Sequence, residues 1–276
     1  MAFDVSLGQY YEGKSLIHKL DPRTKLIYVI MFMVSIFVAK SIYAFALLSV
    51  VVLLTVIFSR VPIRTILRGL KPLIVIVAFT AILNIFWTKA ESDPLWQWKF
   101  ITIYKEGLIN AGLLALRIIL LLVETTLFLS YTTTPIELTD GIESLLAPLK
   151  LIKLPVHEFA MLMTIALRFI PTLTDETSKI MNAQKARGAD FSSGGLIKRA
   201  KALIPIIIPL FVSSFRRADE LATAMECRCY RGGEGRTRMK KLKFKVKDVF
   251  GWLFSIALLA GVILMSIFLA EYGYMI

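Results

Sequence analysis

Residues 108–130 read LINAGLLALRIILLLVETTLFLS, an apolar run broken by only two charged side chains, Arg117 and Glu124. At about 1.5 Å of rise per residue, such a helix is long enough to cross a hydrocarbon layer about 30 Å thick. Arg117 and Glu124 lie two turns apart and so point the same way. Charges at membrane depth are costly and usually mark function. The alternative is structural: the two satisfy each other, or the polar Asn84 of a neighbouring run.

Outward from this stretch, further apolar runs cover residues 25–39, 42–58, 72–88 and 249–270, giving about five spans in all. The first starts well, because Asp21 is a good N-cap and Pro22 suits the first helical turn. Of the 276 residues, 57% are hydrophobic and 19% charged, and mean hydropathy is +0.69. A soluble domain of this length is excluded by that balance, and the class is an all-α membrane protein. Residues 1–24 are polar and amphipathic rather than leader-like, so no cleaved signal is expected.

The net charge of +13 does not point to nucleic acid, because the positive residues cluster beside the apolar runs. The 59–71 connection carries Arg60, Arg64, Arg68 and Lys71 with no acid, and 231–247 carries eight Lys or Arg against Glu234 alone. Both are expected in the cytoplasm. The 89–107 connection balances three bases with three acids and, with Trp87, Trp96 and Trp98, reads as external. The N-terminus is then inside and the C-terminus outside. Residues 1–130 and 249–276 form the transmembrane domain, and 131–248 a cytoplasmic insert too long for a plain loop.

The insert holds two shorter apolar runs, 156–170 and 202–215, interrupted or bounded by Arg168, Pro171, Pro205 and Pro209. A pair of extra spans would preserve the topology, but the runs are expected to dip into or lie against the membrane and to continue as amphipathic tails over 171–187 and 212–228. The tails repeat one pattern 41 residues apart: Ile180, Ala183, Arg187 and Leu221, Ala224, Arg228. Each set shares one helical face, since positions three and four apart are neighbours. Gly188 can end the first helix as a left-handed residue, and Gly232 and Gly233 lie just beyond the second. Each helix end thus carries one arginine beside small alanines that let a partner approach. The planar guanidinium suits a bidentate carboxylate, although a solvated helix end stabilised by its dipole would look similar.

Catalytic chemistry finds little support. Residues 8–15, GQYYEGKS, match the phosphate-loop pattern, but no buried strand precedes them and Pro22 follows closely, so they read as a polar interfacial arm. His18 and His157 are the only histidines, and His18 is expected to bond locally. The two cysteines, Cys227 and Cys229, supply half a metal site at most and suggest a reducing compartment.

Two features carry a family resemblance: SLIHKLDPRTKLI at residues 15–27, and the tripeptides Ala186-Arg187-Gly188 and Cys227-Arg228-Cys229. Together they resemble the transmembrane T component of energy-coupling factor transporters, a group that includes the cobalt-transport membrane subunit. The similarity runs nearly end to end, with Cys227 where alanine is usual in the family and Cys229 where glycine is common.

The resemblance implies a non-catalytic coupling subunit in a multi-pass bacterial cell membrane complex that takes up a vitamin or metal ion. Its expected partners are two ATP-binding cassette (ABC) ATPases and one small substrate-binding membrane subunit, the S component. ATP and magnesium would sit on the ATPases, with no cofactor in this chain. Arg187 and Arg228 would each dock one ATPase, with Ala186, Gly188, Ile180, Ala183, Leu221, Ala224 and Met225 completing the contact. Pro171 and Pro209 are the expected hinges. The runner-up readings are an ATP-independent scaffold for another acidic partner and, less favoured, a membrane-embedded lipid-modifying enzyme.

Overall fold

A computed structural model describes residues 10–13, 15–87, 96–98, 101–148, 155–191, 193, 195–232, 242 and 244–271. Most of them are helical. In chain order the helices are α1 (Pro22–Val38), α2 (Ile42–Ser59), α3 (Ile63–Trp87), α4 (Lys105–Thr125), α5 (Pro135–Leu145), α6 (Val156–Ala186), α7 (Leu196–Cys227) and α8 (Val246–Glu271). π-Helical turns continue α4 over Thr126–Tyr131. Between α3 and α4 lies a short antiparallel hairpin, β1 (Trp96–Trp98) on β2 (Ile101–Ile103), within the connection that reads as external.

Among the described residues five helices are long and apolar enough to cross a membrane, by length and composition: α2, α3, α4 with its continuation, α6, and α8 as far as Phe268. The class and the number agree with the sequence reading, but the membership differs. α1 has 17 residues, about 26 Å at helical rise, which is at the short end of what a span needs. α6 meets the measure of length and composition instead, because Pro171 does not interrupt it and the helix continues for 31 residues, well past its apolar half. α3 likewise runs through Pro72 and starts nine residues before the expected 72. A proline inside a long helix removes one backbone bond and can leave the rest of the ladder standing.

The chain forms two compact units. One comprises residues 8–145 with 242–276, the other 146–241 (with 1–7). These divisions differ from 130/131 and 248/249 for identifiable reasons. α5 packs on α1, where a Cβ on Gly141 would come within 3.1 Å of Pro22 Cβ and 3.2 Å of Leu26 Cδ1. The approach to α8 is held by Asp248, whose carboxylate accepts from the backbone N–H of Asp21 (2.8 Å) and of Lys245 (2.7 Å).

In the first unit the core is an apolar cluster in which Phe32, Ile36, Leu48, Leu127, Tyr131 and Val262 are fully buried. α1 begins as its sequence dictates: the Asp21 side chain accepts from Arg23 N (3.0 Å), with Pro22 next to it. The stretch 15–27 is a junction. Lys25, almost fully buried, donates to Thr132 O at 2.6 Å, and Gly251 packs so close that a Cβ would lie 2.8 Å from Thr24 Cγ2. Elsewhere long apolar side chains such as Val75, Phe79 and Trp87 of α3 remain exposed, as on a helix that faces lipid or a membrane partner.

Candidate functional site: two arginine-bearing helix ends

α6 and α7 each run unbroken through an apolar stretch and end at an arginine. Arg187 caps α6 with φ −87° and ψ 10°; Arg228 caps α7 with φ −92° and ψ 12°. The next residue is left-handed in both, Gly188 at φ 85° and Cys229 at φ 58°. The hydrogen bonds also correspond. At α6, Gly188 N donates to Lys185 O (3.0 Å) and Ala189 N to Gln184 O (3.0 Å). At α7, Cys229 N donates to Glu226 O (2.8 Å) and Tyr230 N to Met225 O (3.0 Å). Both are Schellman ends, in which the residue after the cap turns left-handed and returns two N–H groups to the last carbonyls. The repeat seen in the sequence is therefore a repeat of backbone geometry.

The two ends project their arginines alike. Arg187 and Arg228 are exposed, and neither side chain has an ion-pair partner among the described residues. Ala183, Ala186, Gly188 and Ala224 are exposed beside them, while Ile180, Leu221 and Met225 are half-buried. Small residues around a free guanidinium leave room for a partner surface to close over it, and the adjacent helix carbonyls favour the cation. Pro171 and Pro209 both lie inside their helices. Cys227 and Cys229 are exposed free thiols.

One cross-link between the helices was not anticipated. Arg217 Nη2 lies 2.8 Å from Glu176 Oε2, and Ser213 Oγ donates to Glu176 Oε1 at 2.5 Å. Glu176 stands eleven residues before Arg187 and Arg217 eleven before Arg228, so the tie joins equivalent positions of the repeat. Each arginine is then about 16 Å of helix beyond the tie. The signal was available in the sequence, since the 41-residue offset that relates the arginines also relates this pair.

The charged pair of α4 does not pair with itself. Glu124, fully buried, accepts from Tyr28 Oη (2.6 Å) and Thr55 Oγ1 (2.9 Å). Arg117 donates through Nη2 to Ala39 O (3.1 Å) and lies 5.2 Å from the centroid of the Phe45 ring. Two turns of helix separate their origins by about 10 Å, so each finds a nearer partner on another helix.

His18 bonds locally, as the sequence suggests. Its Nε2 is 2.9 Å from Tyr11 O and its Nδ1 2.7 Å from Ser15 Oγ. A carbonyl can only accept, so Nε2 carries hydrogen and Nδ1 accepts from the Ser15 hydroxyl. Burial lowers the His18 pKa below its ordinary value and nearby Lys25 adds to this, against the opposing carbonyl bond from Tyr11. The arm before it, of which residues 10–13 are described, is pinned by Tyr11 N donating to Tyr131 O (3.0 Å). Gly8, Gln9 and Lys14 of the phosphate-loop-like octapeptide lie outside the described residues.

Comparison with known proteins gives a consistent result. The CbiQ family model, described as cobalt transport protein, matches residues 13–239. A protein of Ruminiclostridium cellulolyticum named energy-coupling factor transporter transmembrane protein EcfT is 54% identical over 266 residues, covering 96% of this chain and 98% of that one. Proteins of the same name from Clostridium kluyveri and Bacillus subtilis are 53% and 51% identical, covering 97% and 88% of this chain and 98% and 91% of theirs.

Proposed function

Because the chain belongs to the CbiQ family, and with it to the transmembrane components of energy-coupling factor transporters, we propose that α6 and α7 are its coupling helices, each docking one ABC ATPase through its terminal arginine. The observation that carries this reading is the duplicated Schellman end, which presents Arg187 and Arg228 from the same backbone geometry with no partner among the described residues. Two like ends fit two like grooves. An acidic side chain in each groove would complete a charge-assisted, two-pronged bond, with Ile180, Ala183, Ala186 and Gly188 on one side and Leu221, Ala224 and Met225 on the other as apolar and small-residue contact.

ATP and magnesium belong to the ATPases in this reading, and this chain is non-catalytic. Closure of the ATPases on ATP moves the two helix ends relative to each other. Glu176–Arg217–Ser213 acts as the fulcrum, and Pro171 and Pro209, each missing one ladder bond, are the pliant points. The motion reaches an S component that carries a micronutrient, a vitamin or a metal ion. In this reading the N-terminus and the arginine ends lie on the cytoplasmic side of the bacterial membrane and the C-terminus outside, which the basic 59–71 and 231–247 segments support.

Copurification tests the docking. The tagged chain, gently solubilised from its native membrane, is expected to bring down two ABC ATPases, or two copies of one. An Arg187→Glu/Arg228→Glu variant is expected to bring down neither while still reaching the membrane. Wild-type chain without ATPases contradicts the coupling role, and ATPases retained by the variant remove the arginines from it. For the pliant points, Pro171→Ala or Pro209→Ala is expected to slow uptake while leaving the ATPases bound; unchanged uptake would discard them.

A further inference from the structure

Arg117 is the charge that the coupling account leaves unused. It lines a polar cavity of about 320 Å³ in the first unit, together with Lys40 from the α1–α2 turn, Asn84 of α3 and Asn110 of α4, with Phe45 and Leu113 in the walls. That volume is on the order of ten waters. Two cations face it, and no carboxylate does among the described lining residues. Arg117 has a single hydrogen-bond acceptor among the described residues, Ala39 O, and its Nε is buried without a partner. A guanidinium and an ammonium lining one cavity, with no counter-charge among the described lining residues, repel each other until an anion joins them.

Beside this cavity lies a second space, an apolar groove of about 370 Å³ between α2 and α4. It is lined by Ile42, Ala46, Ile109, Gly112 and Leu116, and it meets the polar cavity at Phe45 and Leu113, which line both. Cationic head space next to apolar tail space describes a ligand with a negative head and an apolar tail. The geometry points to a binding site for one anionic phospholipid, its phosphodiester on Arg117 and Lys40 and an acyl chain in the α2–α4 groove. Arg117 supplies forked donors and Lys40 a point charge, while Asn84 and Asn110 border the glycerol side of the head.

The test uses the full chain, purified in detergent, delipidated and titrated with phosphatidylglycerol, with bound lipid counted by native mass spectrometry. One phosphatidylglycerol per chain is expected. Arg117→Gln/Lys40→Gln should weaken its binding about tenfold or more, since charge-assisted bonds are lost. Gly112→Leu is an independent probe: a Cβ there meets nothing within 4 Å, so the substitution fills the groove without disturbing the cations. It should weaken lipid binding while the chain stays folded, and Lys198→Gln on α7 should bind as wild type does. Diacylglycerol of the same chain length should not compete, nor should inorganic phosphate. Wild-type binding by the double variant, full retention by Gly112→Leu, equal competition by diacylglycerol, or displacement by phosphate alone would each overturn the assignment.

Discussion

At the end of α6 the left-handed residue is Gly188; at the end of α7 it is Cys229, in the same hydrogen-bond pattern but with a side chain attached. Glycine adopts that conformation freely, whereas a residue with a Cβ is strained there by roughly 1 kcal/mol or more. The second end therefore keeps its shape at a cost the first does not bear. The difference teaches that the backbone turn presenting the arginine is what the two ends share, and that the identity of the turning residue can vary around it.

The equivalence of the ends is broken most severely by charge. Arg187→Glu and Arg228→Glu are each expected to cost about 2–5 kcal/mol of docking free energy at their own site, roughly thirty-fold or more in ATPase affinity. Titration of purified ATPase against each single variant checks this. Equal losses sharpen the comparison, and a loss confined to one arginine breaks it.

A smaller effect comes from the turn itself. Gly188→Ala is expected to lower thermal stability by about 1 kcal/mol and Cys229→Gly to raise it by a similar amount, because each changes the strain at a left-handed position. Thermal unfolding of the purified chain should show shifts of opposite sign. Shifts of the same sign would mean that the two turns differ in more than their left-handed residue.

The tie between the helices should matter at a similar level. Arg217 is partly exposed, and exposed pairs contribute little, so Glu176→Gln is expected to cost no more than about 1 kcal/mol of stability. Its effect on uptake should exceed its effect on stability if the tie is a fulcrum. Parallel uptake and melting assays separate the two.

Acidification is expected to have the smallest effect and to fall on the other unit. The folded state disfavours protonated His18, so its contribution is fully present above the ordinary histidine pKa of 6.5 and declines as pH falls from there toward the lowered folded value. Hydrogen exchange at Tyr11, whose N–H is held by Tyr131, should quicken relative to its intrinsic rate below about pH 6.5 and lose that response in His18→Gln. The helix ends, which contain no histidine, should show no such change.

Much of this was legible because it is local. Asp21 and Pro22 announce the start of α1, and the Ile-Ala-Arg spacing with Gly188 announces the end of α6. Cys229 hid the second turn, since nothing in its chemistry signals a left-handed backbone. Pro171 and Pro209 read as breaks because a sequence shows the lost bond and not the helix on either side that survives it. Arg117 and Glu124 read as a pair on a shared face, yet their partners, Ala39, Phe45, Tyr28 and Thr55, come from elements far apart in the chain. Glu176 and Arg217 were hidden for the same reason, although the repeat offset marked them once the arginines had been aligned.

The most direct measurement places a photoactivatable crosslinking residue at Ala183 on one chain and at Ala224 on another, each in native membranes, and identifies what is trapped. The account predicts an ABC ATPase at both positions, with Arg187→Glu abolishing the first crosslink and Arg228→Glu the second. A crosslink to ATPase from neither position, or crosslinks that survive the loss of the neighbouring arginine, would contradict it.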